Sequence, residues 1–200
     1  IMISIRTQLA GLALAGMATV AQAGIPVTVT AVSDYDFRGV TQTAGDPALS
    51  FSFDYYTGPV HLGAWTSNVQ FDANETGMKF FGADHTEIDL AADYSGGDDA
   101  TGKYNFGFVD YTYPGQSGFD FPEIWGTLSK GWLSGTLHYS WDWGGYGSNS
   151  SAYYIEGNAS WPLGESGFGL TAHVGHSWGD AWDAYYTGSY EDFAVGVSKS

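Results

Sequence analysis

From Ile25 to the end of the chain, apolar and polar side chains alternate with a period of two. That period puts successive side chains on opposite faces of a strand, so it commits the chain to β-structure with two chemically different faces. Val27, Val29, Ala31, Tyr35 and Phe37 share one face, and Thr28, Thr30, Asp34, Asp36 and Arg38 the other, with Val32 as the exception. Leu49, Phe51, Phe53 and Tyr55 oppose Ser50, Ser52 and Asp54; Ile88, Leu90, Ala92 and Tyr94 oppose Glu87, Asp89 and Asp93. The pattern recurs around Leu137, Ile155 and Leu170. Near Phe108 to Tyr111 the phase breaks, because Asp110 takes the parity of Phe106, and this predicts a bulge. No helical period of useful length competes.

Turn signals divide this region into about eleven strands. They are Ile25 to Arg38, Leu49 to Tyr56, Val60 to Phe71, Thr86 to Tyr94, Lys103 to Tyr113, Phe121 to Ser129, Trp132 to Trp141, Ala152 to Trp161, Phe168 to Trp178, Trp182 to Tyr190, and Phe193 onward. Long links (Gly39 to Pro47, Asp72 to His85, Pro114 to Asp120, Asp142 to Ser151) interleave with mostly shorter ones such as Thr57 to Pro59, Lys130-Gly131 and Glu191-Asp192. The expectation is an all-β, antiparallel, up-and-down transmembrane β-barrel of about twelve strands when complete. A secreted β-sandwich also alternates. Two features favour the barrel. The apolar face is nearly free of charge, as lipid requires, and aromatics gather at strand ends. Tyr153 and Trp161 lie on one face about 26 Å apart along the strand, which at a tilt near 40° is about 20 Å of height, the separation expected of two aromatic girdles.

The first 23 residues differ from the rest. Arg6 is their only charge, Leu9 to Val20 is an apolar run too short to span a bilayer, and Ala21-Gln22-Ala23 carries small residues at a cleavage position. Residues 1–23 therefore read as a signal peptide, and residues 24–200 as the barrel. The chain carries 6 Lys and Arg against 22 Asp and Glu, a formal charge of −16, so it cannot neutralise a run of phosphates and nucleic acid is excluded as a partner. There is no cysteine, which excludes disulfides and thiol chemistry.

The segment Ser33-Asp34-Tyr35-Asp36-Phe37-Arg38-Gly39, followed by Gln42 and Gly45-Asp46-Pro47-Ala48, resembles the opening strand and first loop of the TorF family of porins. Matches follow in order at Trp65-Thr66-Ser67-Asn68-Val69, Glu87-Ile88-Asp89-Leu90, Tyr111-Thr112-Tyr113-Pro114-Gly115, Tyr153-Tyr154-Ile155-Glu156 and Val195-Gly196-Val197-Ser198-Lys199. The resemblance implies a closed antiparallel barrel in a Gram-negative outer membrane. Barrels of this kind end on a strand with a terminal aromatic, whereas this chain stops at Ser200 and has Ile1 before Met2, so it reads as a fragment lacking a last strand.

With the apolar face against lipid, the expected pore lining is Asp34, Asp36, Arg38, Asp54, Glu87, Asp89, Asp93 and Glu156, with Lys103, His61, His138 and His173 as further counter-charges. Such a lumen is net acidic and enriches cations. The same acids could instead form a hydrogen-bonded plug in a sealed barrel. The leading expectation is a passive channel for small polar solutes or ions, preferring cations, with outer-membrane lipid as partner and no cofactor. The alternatives are a non-conducting structural or adhesive barrel with ligand-binding loops, and a barrel enzyme using His138 and Ser140. The last has no feature marking the serine as activated, so no catalytic activity is expected. His173 and His176 face opposite ways on one strand and make a poor metal pair.

Overall fold

The computed structural model describes residues 16–22, 25–71, 81–82, 84–185 and 188–199. The alternating segments form strands β1 (Gly16–Gln22), β2 (Ile25–Val32), β3 (Asp36–Phe37), β4 (Val40–Thr41), β5 (Ala48–Thr57), β6 (Val60–Asn68) and β7 (Thr86–Asp98). They continue with β8 (Gly102–Thr112), β9 (Phe121–Lys130), β10 (Leu133–Ser140), β11 (Ala152–Pro162), β12 (Phe168–Trp178), a short helix α1 (Asp180–Tyr185) and β13 (Tyr190–Lys199). Eleven of these strands make one sheet in the order β1-β2-β5-β6-β7-β8-β9-β10-β11-β12-β13, every neighbouring pair antiparallel. The fold is all-β and up-and-down. β3 and β4 form a separate two-stranded hairpin.

The connections sort by length onto the two ends of the sheet. The described residues of the links 33–47, 69–85, 113–120, 141–151 and 179–189 lie at one end, and the tight turns 58–59, 99–101 and 131–132 with the link 163–167 at the other. The outer face is apolar and open to the surroundings: Leu128 is 72% exposed, Phe193 67%, Val195 77% and Leu90 56%. On it, Tyr153 stands directly between Tyr139 and Trp178 with ring centroids 4.8 and 5.3 Å away, at the long-loop end. Trp132 meets Trp161 at 5.2 Å near the opposite end.

The β3–β4 hairpin reveals that the sheet is rolled. Tyr35 reaches Trp65 on β6 and Glu87 on β7, Phe37 packs on Tyr111 of β8, and Arg38 bonds Glu123 on β9. Tyr190 on β13 donates to the Arg38 carbonyl at 3.0 Å. In a flat sheet β7 and β13 would stand six strands, or roughly 29 Å, apart. The Tyr35–Gly39 backbone spans at most roughly 14 Å, so the sheet curls around the hairpin. It does not close: among the described residues no ladder joins the edges β1 and β13. The closed barrel of the sequence reading is present as a curled sheet with two free edges.

Four local expectations are corrected. The first strand ends at Val32 rather than Arg38, because side-chain hydrogen bonds turn the chain inward: Thr41 Oγ1 donates to Asp34 at 2.6 Å and the Tyr35 N–H to Thr43 Oγ1 at 3.1 Å. No bulge interrupts Phe108 to Tyr111, since the β7–β8 register runs unbroken from Asp98 opposite Gly102 to Ile88 opposite Thr112. Asp110 sits opposite Leu90 on the outer face, where Tyr146 of the 141–151 loop donates to it. Within Trp182 to Tyr190 the chain starts as helix α1 and joins β13 only at Tyr190; Ala181 and Trp182 are buried on one side, with Trp182 against Trp143 at 5.2 Å and Tyr190 at 5.0 Å. Glu191 and Asp192, read as a turn, are inside β13. The eleven-stranded sheet thus includes Gly16–Gln22, from the segment read as a leader, in place of Trp182 to Tyr190. Most of that leader, residues 1–15 and 23, lies outside the described residues.

Candidate functional site

The rolled sheet turns its polar face inward, and one titratable side chain per strand builds a continuous chain there. Arg38 grips Glu123 with two hydrogen bonds, Nη2 to Oε1 at 2.7 Å and Nη1 to Oε2 at 2.8 Å. His138 Nδ1 meets the same Glu123 Oε1 at 2.8 Å, while its Nε2 faces Glu156 at 3.8 Å. Across Glu156 lies His173, 3.7 Å away, whose Nε2 is 2.8 Å from Asp192. Tyr154 donates to Asp192 at 3.1 Å, and its ring lies 4.5 Å beneath the Arg38 guanidinium. Carboxylates and histidines alternate from β9 to β13, so each carboxylate is flanked by a possible donor, which is what makes burial of these groups tolerable. Burial alone would lower the Arg38 guanidinium; the facing Glu123 carboxylate reverses this and holds it charged.

A second chain crosses β5 to β9 nearer the short turns. His61 bridges Asp54 through Nε2 at 2.9 Å and Asp93 through Nδ1 at 2.6 Å. Asn105 donates to Asp93 at 2.6 Å and accepts from the Trp125 indole at 2.6 Å. At the long-loop end of β7 Glu87 is buried, its Oε1 receiving Tyr113 at 3.0 Å and Tyr35 at 3.4 Å. Glu87 Oε2 and Asp89 Oδ1 have no hydrogen-bond partner among the described residues. They are the uncompensated acids of the inner face.

Of the residues expected to line a pore, Asp54, Glu87, Asp89, Asp93 and Glu156 stand on inward strand positions. Asp34, Asp36 and Arg38 do not share a strand face. They belong to the hairpin, where Asp34 holds Thr41 and Asp36 accepts the Gly39 N–H at 2.8 Å. Arg38 pairs with Glu123 rather than offsetting the two aspartates. Lys103 sits near the short turn between β7 and β8, bonded to Asp99 at 2.6 Å, away from both chains. Glu123 and Asp192 were missed in the sequence: Glu123 follows Phe121-Pro122, and Asp192 read as a turn. His138 spends Nδ1 on Glu123, and Ser140 Oγ has no hydrogen-bond partner among the described residues, so no serine–histidine couple forms.

The interior is filled at one end and hollow at the other. At the long-loop end Val69, Val109, Tyr111, Tyr113 and Phe121 form a buried cluster joined by Phe37 and Trp143. Toward the short turns a cavity of about 710 Å³ is lined in part by Ser134, Asn158, Ser160, Thr171 and His173. Among the described residues no group of three or more His, Cys, Asp or Glu is placed to hold a metal ion.

Comparison with curated proteins finds no match. Residues 18–200 match the family described as "Bacterial protein of unknown function (Gcw_chp)". The match covers more than half of the chain, and the chain belongs to this family.

Proposed function

We propose that this Gcw_chp-family chain is an exported outer-membrane β-barrel through which small polar solutes or ions diffuse passively, with a preference for cations. The observation that carries the reading is the inversion of its faces. Leucine, valine and phenylalanine side chains stand half or more exposed on the outer face, while arginine, histidine and carboxylates are hydrogen-bonded inside. In water that arrangement costs about 25 cal/mol for each Å² of apolar surface left wet. In lipid it is the favourable one. The outer-face clusters Tyr139-Tyr153-Trp178 and Trp132-Trp161, the sorted loop lengths and the TorF resemblance support the same reading.

Cation preference rests on the excess of acids over permanent cations on the inner face. Asp54, Asp93, Glu123, Glu156 and Asp192 stand there beside Arg38, and a net negative, low-dielectric interior attracts cations and repels anions. The test is single-channel conductance in planar bilayers with a salt gradient. A reversal potential on the cation side is expected; a folded, inserted protein that never conducts refutes the reading. One observation favours the sealed, structural or adhesive alternative: the aromatic cluster that fills the long-loop end. Trimming the link Asp72 to His85 should leave conductance largely intact if the first reading holds, and abolish surface adhesion if the second does. We assign no catalysis to the barrel.

A further inference from the structure

Resting on the channel reading, we infer that the Arg38-Gly39 turn of the β3–β4 hairpin is the constriction of this channel, held inside the rolled sheet by Glu123, and that it sets both the size limit and the charge preference of passage. Three observations converge on this turn.

Its backbone is chosen for placement, not for comfort. Arg38 and Gly39 both have positive φ, 53° and 79°, the requirement of a two-residue type I′ hairpin, whose preferred first residue is Asn, Asp or Gly. An arginine there is strained; its guanidinium lies over the neighbouring Phe37 ring at 4.5 Å and crosses the interior to Glu123.

Gly39 seats the tip against the far wall. A Cβ on it would lie 2.6 Å from the Asp192 Cβ, so the tip packs directly on the Asp192 side chain of β13. The hairpin consequently reaches from β7, through Tyr35 and Glu87, to β13, and divides the aromatic-filled end from the hollow end.

The chemistry of the tip also differs from that of the walls. Arg38 is the permanent cation of the two hydrogen-bonded chains on the inner face, and it stands among carboxylates; it discriminates against cations at the constriction. Releasing it should widen the path and strengthen cation preference together.

The chain can be shortened across the base of the hairpin, because the Gln42 N–H donates to the Tyr35 carbonyl at 2.6 Å. The experiment compares the full-length chain, a variant with residues 36–41 replaced by two glycines, and the double variant Arg38→Gln with Glu123→Gln. Each is refolded into vesicles, checked by heat-modifiable electrophoretic mobility, and measured by single-channel conductance and by swelling of vesicles in neutral sugars of increasing size. The hairpin replacement should raise conductance several-fold, admit larger sugars and move the reversal potential further toward cations. The double variant, which removes one positive and one negative charge, should raise conductance and the size limit to a smaller degree and leave the reversal potential near the parent's. If the parent conducts and the folded replacement shows the same conductance and the same size limit, the inference is overturned and the channel reading survives. If parent and replacement are both silent, both are overturned. A silent parent with a conducting replacement refutes free diffusion through the parent and supports the hairpin as its closure. Should the replacement fail to fold, the double variant decides by the same criteria.

Discussion

Replacing Arg38 by Asn sets two physical effects against each other. Asn is favoured at the first central position of a type I′ turn, and relieving the left-handed strain of a non-glycine residue is worth about 1 kcal/mol. Against this, Arg38 and Glu123 keep only 8% and 2% of their side-chain surface exposed. Removing one partner of a buried, doubly bonded pair costs about 3–5 kcal/mol. His138 still holds Glu123 at 2.8 Å, which favours the lower figure, while the loss of the guanidinium over the Tyr154 ring adds about 0.5–1 kcal/mol. The ion pair should win, with a net destabilisation of about 2–3 kcal/mol. Urea unfolding in lipid vesicles, followed by tryptophan fluorescence, reads this directly. Combining Arg38→Asn with Glu123→Gln should recover most of the loss and give a coupling of about 2 kcal/mol in the double-mutant cycle. An Arg38→Asn protein as stable as the parent would mean that turn preference governs the hairpin, and that the buried pair contributes little.

Four further outcomes are expected. Leu90→Arg or Leu170→Arg should impair insertion by about 2–4 kcal/mol in a vesicle-folding assay, whereas Asp89→Asn, facing inward, should insert normally; equal folding of all three would invert the assignment of faces. Gly39→Ala should destabilise by more than about 1 kcal/mol, through its positive φ and the contact with Asp192, and a neutral result in urea titration would show that the tip is not seated as described. Trp182→Ala should cost about 3–5 kcal/mol, because that side chain anchors α1 between Trp143 and Tyr190, and a loss below about 1 kcal/mol would mean that α1 is dispensable. Neutralising Asp54 and Asp93 together should shift the reversal potential toward anions; an unchanged potential would place the selective charge elsewhere.

Alternation made the two faces legible because a strand side chain has only two directions to take. Asp54, Glu87, Asp89, Asp93 and Glu156 were therefore placed inward without any structure. Periodicity failed where chain direction changed without losing phase. Asp34, Asp36 and Arg38 continue the alternation of β2, yet the hydroxyls of Thr41 and Thr43 draw them into a hairpin, and no local signal distinguishes an arginine that strains a turn from one that extends a strand. Trp182, Ala184 and Tyr186 also alternate in name, but Asp180 and Asp183 sit in the first turn of a helix, where acids are favoured. Glu123 was hidden for another reason. Its partner is 85 residues distant in sequence, and pairing at that range is a property of the rolled sheet rather than of either segment.

The hairpin imposes an order on folding. Its own hydrogen bonds span a few residues, so it can form within microseconds as an isolated turn. Its seat cannot. The bond from Tyr190 to the Arg38 carbonyl closes a loop of 152 residues, which carries a chain-entropy cost of roughly 4 kcal/mol before any contact rewards it. The tip must therefore stay undocked until β9, β11 and β13 have been laid down one after another, and the last strand to arrive is the one that traps it. Mixing-time experiments should accordingly find insertion of the strands preceding the burial of Trp143, with a slow final phase that the hairpin replacement abolishes.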